Sequence, residues 1–182
     1  MIYYLFKFTK ILLILLPLYL LLRRPWKRER KRECALCLFV LFMSGLLILA
    51  LEGNWQSPSL MVKSAKTRLS TGYAVNLIPF RSISGFFRHF HFSVFLVNIV
   101  GNIVMFFPWG FGLPLLWKKR QSVLSSLLSC ALLPVFIETA QLFIERSVDI
   151  DDLILNFAGG MIGAAGYFLI RKKIPNIEQL AR

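Results

Sequence analysis

Residues 138–166, ETAQLFIERSVDIDDLILNFAGGMIGAAG, decide how this chain is read. Glu138 and Gln141 put a carboxylate and an amide inside an apolar run. An acidic turn with Asp149, Asp151 and Asp152 follows, and then a run rich in small residues with Gly159, Gly160, Gly163 and Gly166. In water such a pattern would say little, so its meaning depends on the solvent around it. Of the 182 residues, 57% are hydrophobic and 14% aromatic, and the mean hydropathy is +0.64. That composition belongs to membrane proteins.

Apolar runs long enough to cross roughly 30 Å of hydrocarbon, about 18 residues or more, lie on both sides of the acidic turn, at 122–144 and 153–170. Further toward the N-terminus come 92–117, 34–51 and 2–22, the last with Lys7 and Lys10 placed to snorkel to the interface. Residues 2–22 are read as a retained helix, since no A-x-A-like cleavage site follows and the next residues are basic. The fold expected is therefore an all-α, polytopic transmembrane helical bundle of about five spans. Pro108, Gly110, Gly112 and Pro114 predict that the second half of the 92–117 span kinks or re-enters.

The net charge of +13 is concentrated beside the spans. Arg23, Arg24, Lys27, Arg28, Arg30, Lys31 and Arg32 form one cluster, Lys118, Lys119 and Arg120 a second, and Arg171, Lys172 and Lys173 a third. Basic residues in short loops stay cytoplasmic, so the N-terminus is expected outside and the C-terminus in the cytoplasm. This placement also argues against nucleic acid as a partner, which would call for a basic face interleaved with aromatics. The long segment to about residue 90 is then an outside loop carrying Lys63, Lys66, Arg68, Arg81 and Arg88. Three units result: an N-terminal transmembrane helix with its basic loop (1–33), a membrane domain (34–173) and a cytoplasmic tail (174–182). Cys34, Cys37 and Cys130 are too few and too apolar in setting for a disulfide framework.

The polar residues inside the spans fall into stripes. Asn98 and Asn102 are four apart on one helix face; Glu138, Gln141 and Glu145 follow i, i+3, i+7 spacing; Asp152 and Asn156 are again four apart. All reach the same depth near the outer interface. A charge at a helix centre costs roughly 2.5 to 3.5 kcal/mol on insertion scales, so Glu138 is expected either to pair with Arg81 or Arg146 or to hold its proton. Stripes that converge in this way predict a polar cavity open to the outside rather than isolated interhelical hydrogen bonds. The Gly159/Gly163 pair predicts close helix packing, the alternative being room for a ligand. The acidic turn lacks the length and glycine of a calcium loop, and His89 and His91 have no companion ligands, so no metal and no cofactor are expected.

Several of these residues recur together in a known pattern: Asn76-Leu-Ile-Pro-Phe80; N-x-x-G-N-x-x-x-F-x-P-x-G-x-G from Asn98 through Gly112; Glu138-x-x-Gln141; and Arg146-x-x-Asp149-x-x-Asp152-x-x-x-Asn156-x-x-Gly159-x-x-x-Gly163. Over residues 38–170 the chain resembles the VanZ-like family of bacterial membrane proteins. The resemblance implies a multi-pass protein of the bacterial cell membrane, in a family whose name-giving member is associated with low-level resistance to teicoplanin, a glycopeptide with a lipid tail. It carries over no catalytic residues. The expected binding residues are Asn76, Arg81, Asn98, Asn102, Glu138, Gln141, Arg146, Asp149, Asp152 and Asn156. The expected function is binding of a lipid-tailed amphiphile, either the lipoglycopeptide or a lipid-linked cell-wall precursor, with membrane lipid as the other partner. The alternative is an intramembrane enzyme acting on a lipid-linked precursor, with Glu138 as acid or base; the absence of G-x-S-x-G and H-E-x-x-H weighs against it.

Overall fold

The computed structural model describes residues 2–23, 25 and 29–181. Arg24, Lys27 and Arg28 of the first basic cluster lie outside the described residues, as do the side chains of Lys7 and Lys10. The architecture is an all-α bundle. Its long helices are α1 (Ile2–Arg23), α2 (Arg30–Ala50), α5 (Phe92–Leu116), α6 (Val123–Phe143) and α7 (Ile150–Lys173). Among the described residues, α2, α5, α6 and α7 are long and apolar enough to cross a membrane, while the apolar part described for α1, Leu13–Arg23, is shorter. Apolar side chains such as Leu132, Val97 and Leu169 point outward at 63 to 69% exposure, as expected of a surface whose solvent is hydrocarbon.

α5 and α7 form the centre. They run parallel and in step, with Ile103 beside Gly159, Phe107 beside Gly163 and the Phe111 ring against Tyr167. Glycine is what allows this approach. A Cβ on Gly159 would overlap the Ile103 carbonyl, one on Gly163 the Phe107 carbonyl, and one on Gly110 the Gly160 carbonyl. The small-residue run is thus an interface between two backbones, and the alternative of space for a ligand does not hold there. α6 packs antiparallel against α7, with Cys130 facing Gly160 so closely that a Cβ there would lie 3.1 Å from the Cys130 side chain. α2 closes the bundle through Met43, Leu46, Phe106 and Ile137, and α1 rests on α2 and the end of α5 through the buried Tyr19, Leu36 and Leu116.

Three expectations are corrected. Of the two outcomes expected for its second half, α5 does not re-enter: it runs as continuous helix through Pro108 and Pro114 to Leu116. Gln121 Nε2 donates to the Pro114 carbonyl in its last turn at 3.1 Å, and Trp109 Nε1 donates to the Ser129 carbonyl of α6 at 2.9 Å. The irregularity of α5 lies earlier, where Leu96–Val100 winds as a π-helix. The segment between α2 and α5, expected as an outside loop, is not simply a loop, since it contains α3 (Pro58–Thr71) and α4 (Arg81–Arg88). Pro58 at the first position and Gly72 in the left-handed region (φ 71°) are ordinary start and stop signals for α3. Finally, Arg30, Lys31 and Arg32 belong to the first turn of α2 rather than to a loop.

Candidate functional site

The α6–α7 turn and the segment between α2 and α5 meet at one end of the bundle. β1 (Val75–Asn76) and β2 (Val148–Asp149) pair in parallel, Val75 with Val148 and Asn76 with Asp149. This short bridge fixes the turn against the segment that precedes α4. Asp149 then serves three neighbours. Its Oδ1 accepts from Asn76 Nδ2 at 2.8 Å and from the Asp151 N–H at 2.9 Å, capping α7, and its Oδ2 accepts from the Ser82 hydroxyl. Its own N–H donates to Glu138 Oε2 at 3.1 Å. Asp151, only 1% exposed, accepts the N–H groups of Phe80, Ser82 (2.7 Å) and Ile83 (3.1 Å) and so receives the N-terminus of α4.

Behind this network lies a partly open cavity of about 350 Å³, bounded by the C-terminal end of α2, the start of α5, the end of α6 and the start of α7. Asn98, Asn102, Glu138, Gln141, Arg146, Asp152 and Asn156 all line it. Six of the seven stripe residues therefore converge, whereas Glu145, the last member of the Glu138/Gln141/Glu145 stripe, lies exposed and does not line the cavity. Asn102 Nδ2 donates to Asp152 Oδ1 and to the Asn98 carbonyl, both at 2.8 Å. Asn98 lies within the π-helical turn, and its Nδ2 returns to the Val94 carbonyl at 2.8 Å. Such wide turns recur at functional sites, where they re-aim side chains.

The cations are arranged differently from expectation. Arg146 Nη1 donates to the Leu49 and Glu52 carbonyls at 2.7 and 3.2 Å, and Gln141 Nε2 donates to the Ala50 carbonyl at 3.0 Å. Both side chains thereby cap the C-terminal end of α2. Among the described residues no ion pair joins Glu138 to Arg146 or Arg81; the nearest polar partner of Glu138 is the Asp149 amide. Arg81 is exposed on the first turn of α4 and does not line the cavity. Asn76 and Asp149 do not line it either, but hold the network that closes one side.

Sequence reasoning passed over two residues that organise this end. Asp151 is one. Arg68, 5% exposed on α3, is the other: its guanidinium donates to the Leu142 (2.9 Å), Gln141 (3.4 Å), Ala74 (3.0 Å) and Arg146 carbonyls, capping α6 from outside the helix. Glu145 completes the clasp at the surface, accepting from Asn54 Nδ2 and Ser64 Oγ at 2.8 Å each. Those two donors, Asn54 first, hold its carboxyl below the usual range. The backbone is bent sharply here, with Ala74, Phe80 and Glu145 at φ 53°, 63° and 61°. Non-glycine residues keep such angles only where the surroundings enforce them.

The cavity lining combines carboxylates, amides and a guanidinium with apolar side chains. Its carboxylates, amides and one guanidinium suit hydroxyl, ammonium and amide groups, while its rim includes Leu49 and Val97, 41% and 69% exposed. Among the described residues no cluster of three or more His, Cys, Asp or Glu has the arrangement of a metal site, and Asp149 and Asp151 are engaged by donors. Comparison with known proteins gives a match over residues 36–171 to the VanZ/LLP1 family profile. No curated protein and no solved structure matches.

Proposed function

Because the chain belongs to the VanZ/LLP1 family and its long apolar helices mark a membrane protein, we propose that it is a multi-pass protein of the bacterial cell membrane that binds a lipid-tailed amphiphile. The polar head enters the α2/α5/α6/α7 cavity from the outer leaflet and the tail lies against the exposed apolar rim. Through that binding the protein supports tolerance of teicoplanin-type glycopeptides or homeostasis of the lipid-linked precursors on which they act. One observation carries the reading. Asn156, only 4% exposed, lines this cavity, and its Oδ1 has no hydrogen-bond partner among the described residues. An orphaned buried acceptor costs about 1–3 kcal/mol, and a ligand donor placed there recovers that cost.

The orientation expected from the basic clusters supports the outer-leaflet placement, since the cavity lies at the end of the bundle opposite Arg171, Lys172 and Lys173. The test compares teicoplanin with vancomycin, which has no lipid tail, in a strain carrying the wild-type gene, Glu138→Gln, Asn156→Leu or none, at matched membrane abundance. Protection against teicoplanin that both variants lose supports the reading. Protection that both variants retain refutes the cavity, and equal effects on the two drugs refute recognition of the tail. Product release from labelled lipid precursor by purified protein would favour catalysis over binding.

A further inference from the structure

The other buried side-chain atom without a hydrogen-bond partner among the described residues is Arg32 Nε. It belongs to the opposite end of the molecule and is independent of the site above. Arg32 is 6% exposed and lines a cavity of about 490 Å³ between the start of α2 and the 3-10 turn Pro175–Leu180. Arg30 and Lys31 line the same space, are exposed, and have no side-chain partner among the described residues. Ile174, Ile177 and Leu180 form its apolar wall.

Three cations in the first turn of a helix are placed against the dipole, because that end already carries partial positive charge. α2 also has no side-chain cap, as Glu29 makes none. The neighbouring acids do not relieve the imbalance. Glu33 is committed to Arg23 at 2.8 Å and to Tyr19 at 3.0 Å, with Arg32 a more distant 3.4 Å. Glu178 is ion-paired with Arg171. Glu29 itself lines the cavity and lowers the net positive charge without cancelling it.

We propose that this cavity binds the phosphate of an anionic phospholipid headgroup, with Arg30, Lys31 and Arg32 around the phosphate and the first acyl carbons against Ile174, Ile177 and Leu180. A phosphate supplies acceptor oxygens for Arg32 Nε and for the uncapped N–H groups of α2, and a charge that suits the helix end. The apolar wall favours a lipid over a free anion.

The test titrates short-chain phosphatidylglycerol, short-chain phosphatidylcholine and inorganic phosphate separately into the full-length protein in a neutral detergent, followed by calorimetry. Phosphatidylglycerol should bind more tightly than phosphatidylcholine, and Arg30→Ala with Lys31→Ala should weaken it on the order of fivefold per cation removed. These two residues are exposed, so the double variant keeps its fold even if Arg32→Gln, next to the buried Glu33, does not. Equal binding of the two lipids, or an unchanged double variant, overturns the proposal. Inorganic phosphate binding as tightly as phosphatidylglycerol overturns the lipid as its source.

Discussion

Replacing Asp151 by Asn tests how strongly one carboxylate, beside the Asp149–Ser82 bond, holds the segment 77–88 to the bundle. The carboxylate accepts three backbone N–H groups, and hydrogen bonds to a charged acceptor contribute about 1.5–3 kcal/mol each. Asn keeps one acceptor oxygen, which in the better of its two orientations serves Ser82 and Ile83 and sets the NH₂ against the Phe80 N–H. One bond is lost and the other two pass from a charged to a neutral acceptor, together a cost of about 3 kcal/mol. At 1.4 kcal/mol per factor of ten, local opening should become about a hundredfold more frequent. Hydrogen exchange followed by mass spectrometry on the detergent-solubilised protein reads this from peptides spanning residues 80–88. Peptides from α3, which Arg68 holds separately, should keep their rates. If the 80–88 peptides of the variant exchange within about threefold of wild type, the tether is worth less than 1 kcal/mol and the reasoning fails.

Other consequences can be measured in the same preparation. Gly163→Ala drives a Cβ into the Phe107 carbonyl and the Phe111 amide, so it should destabilise by about 1–3 kcal/mol, whereas Gly166→Ala meets only ring carbons at 3.6–3.9 Å and should be neutral or stabilising; the reverse order in thermal unfolding would sink the α5/α7 interface described above. Arg68→Met should cost about 3 kcal/mol by abandoning its carbonyls, while Lys63→Met and Lys66→Met, exposed on the same helix, should stay within about 0.5 kcal/mol. Glu145 is held below the usual carboxylate range in the folded state, so its contribution is complete above the unfolded carboxyl value near pH 4.3 and is lost as pH falls through the lower folded value. The melting-temperature difference between wild type and Glu145→Gln should therefore shrink on acidification, and a difference that grows would contradict the assignment.

Much of the architecture was legible because hydrocarbon imposes simple rules. Long apolar runs gave α2, α5, α6 and α7, and polar residues at i, i+3 and i+4 pointed to a shared cavity that Asn102, Glu138, Asp152 and Asn156 do line. What escaped was polar chemistry directed at the backbone. Arg146 was weighed as a partner for Glu138 and Arg68 only as one of the loop cations, but both spend their donors on helix-end carbonyls, which exist only once α2 and α6 have ended where they do. Asp151 was one of three acids in a turn, and nothing in its spacing distinguishes the residue that receives α4 from Asp149, which caps α7. α3 was the avoidable miss. Ser57-Pro58 and Gly72 bracket it, but its low hydrophobicity drew attention to solvent rather than to caps.

The pairing of Val75 with Val148, together with Arg68 on α6, has a consequence for biogenesis. A chain leaving the ribosome exposes α3 and α4 long before the partners that hold them, the end of α6 and the start of α7, have been made. The segment can dock only after α6 and α7 have been made, so its contacts are of long sequence separation and form late. A protein truncated after α5 would insert its early helices and leave α3 and α4 undocked, open to proteases and to quality control. The cavity comes into being only once α7 has been made.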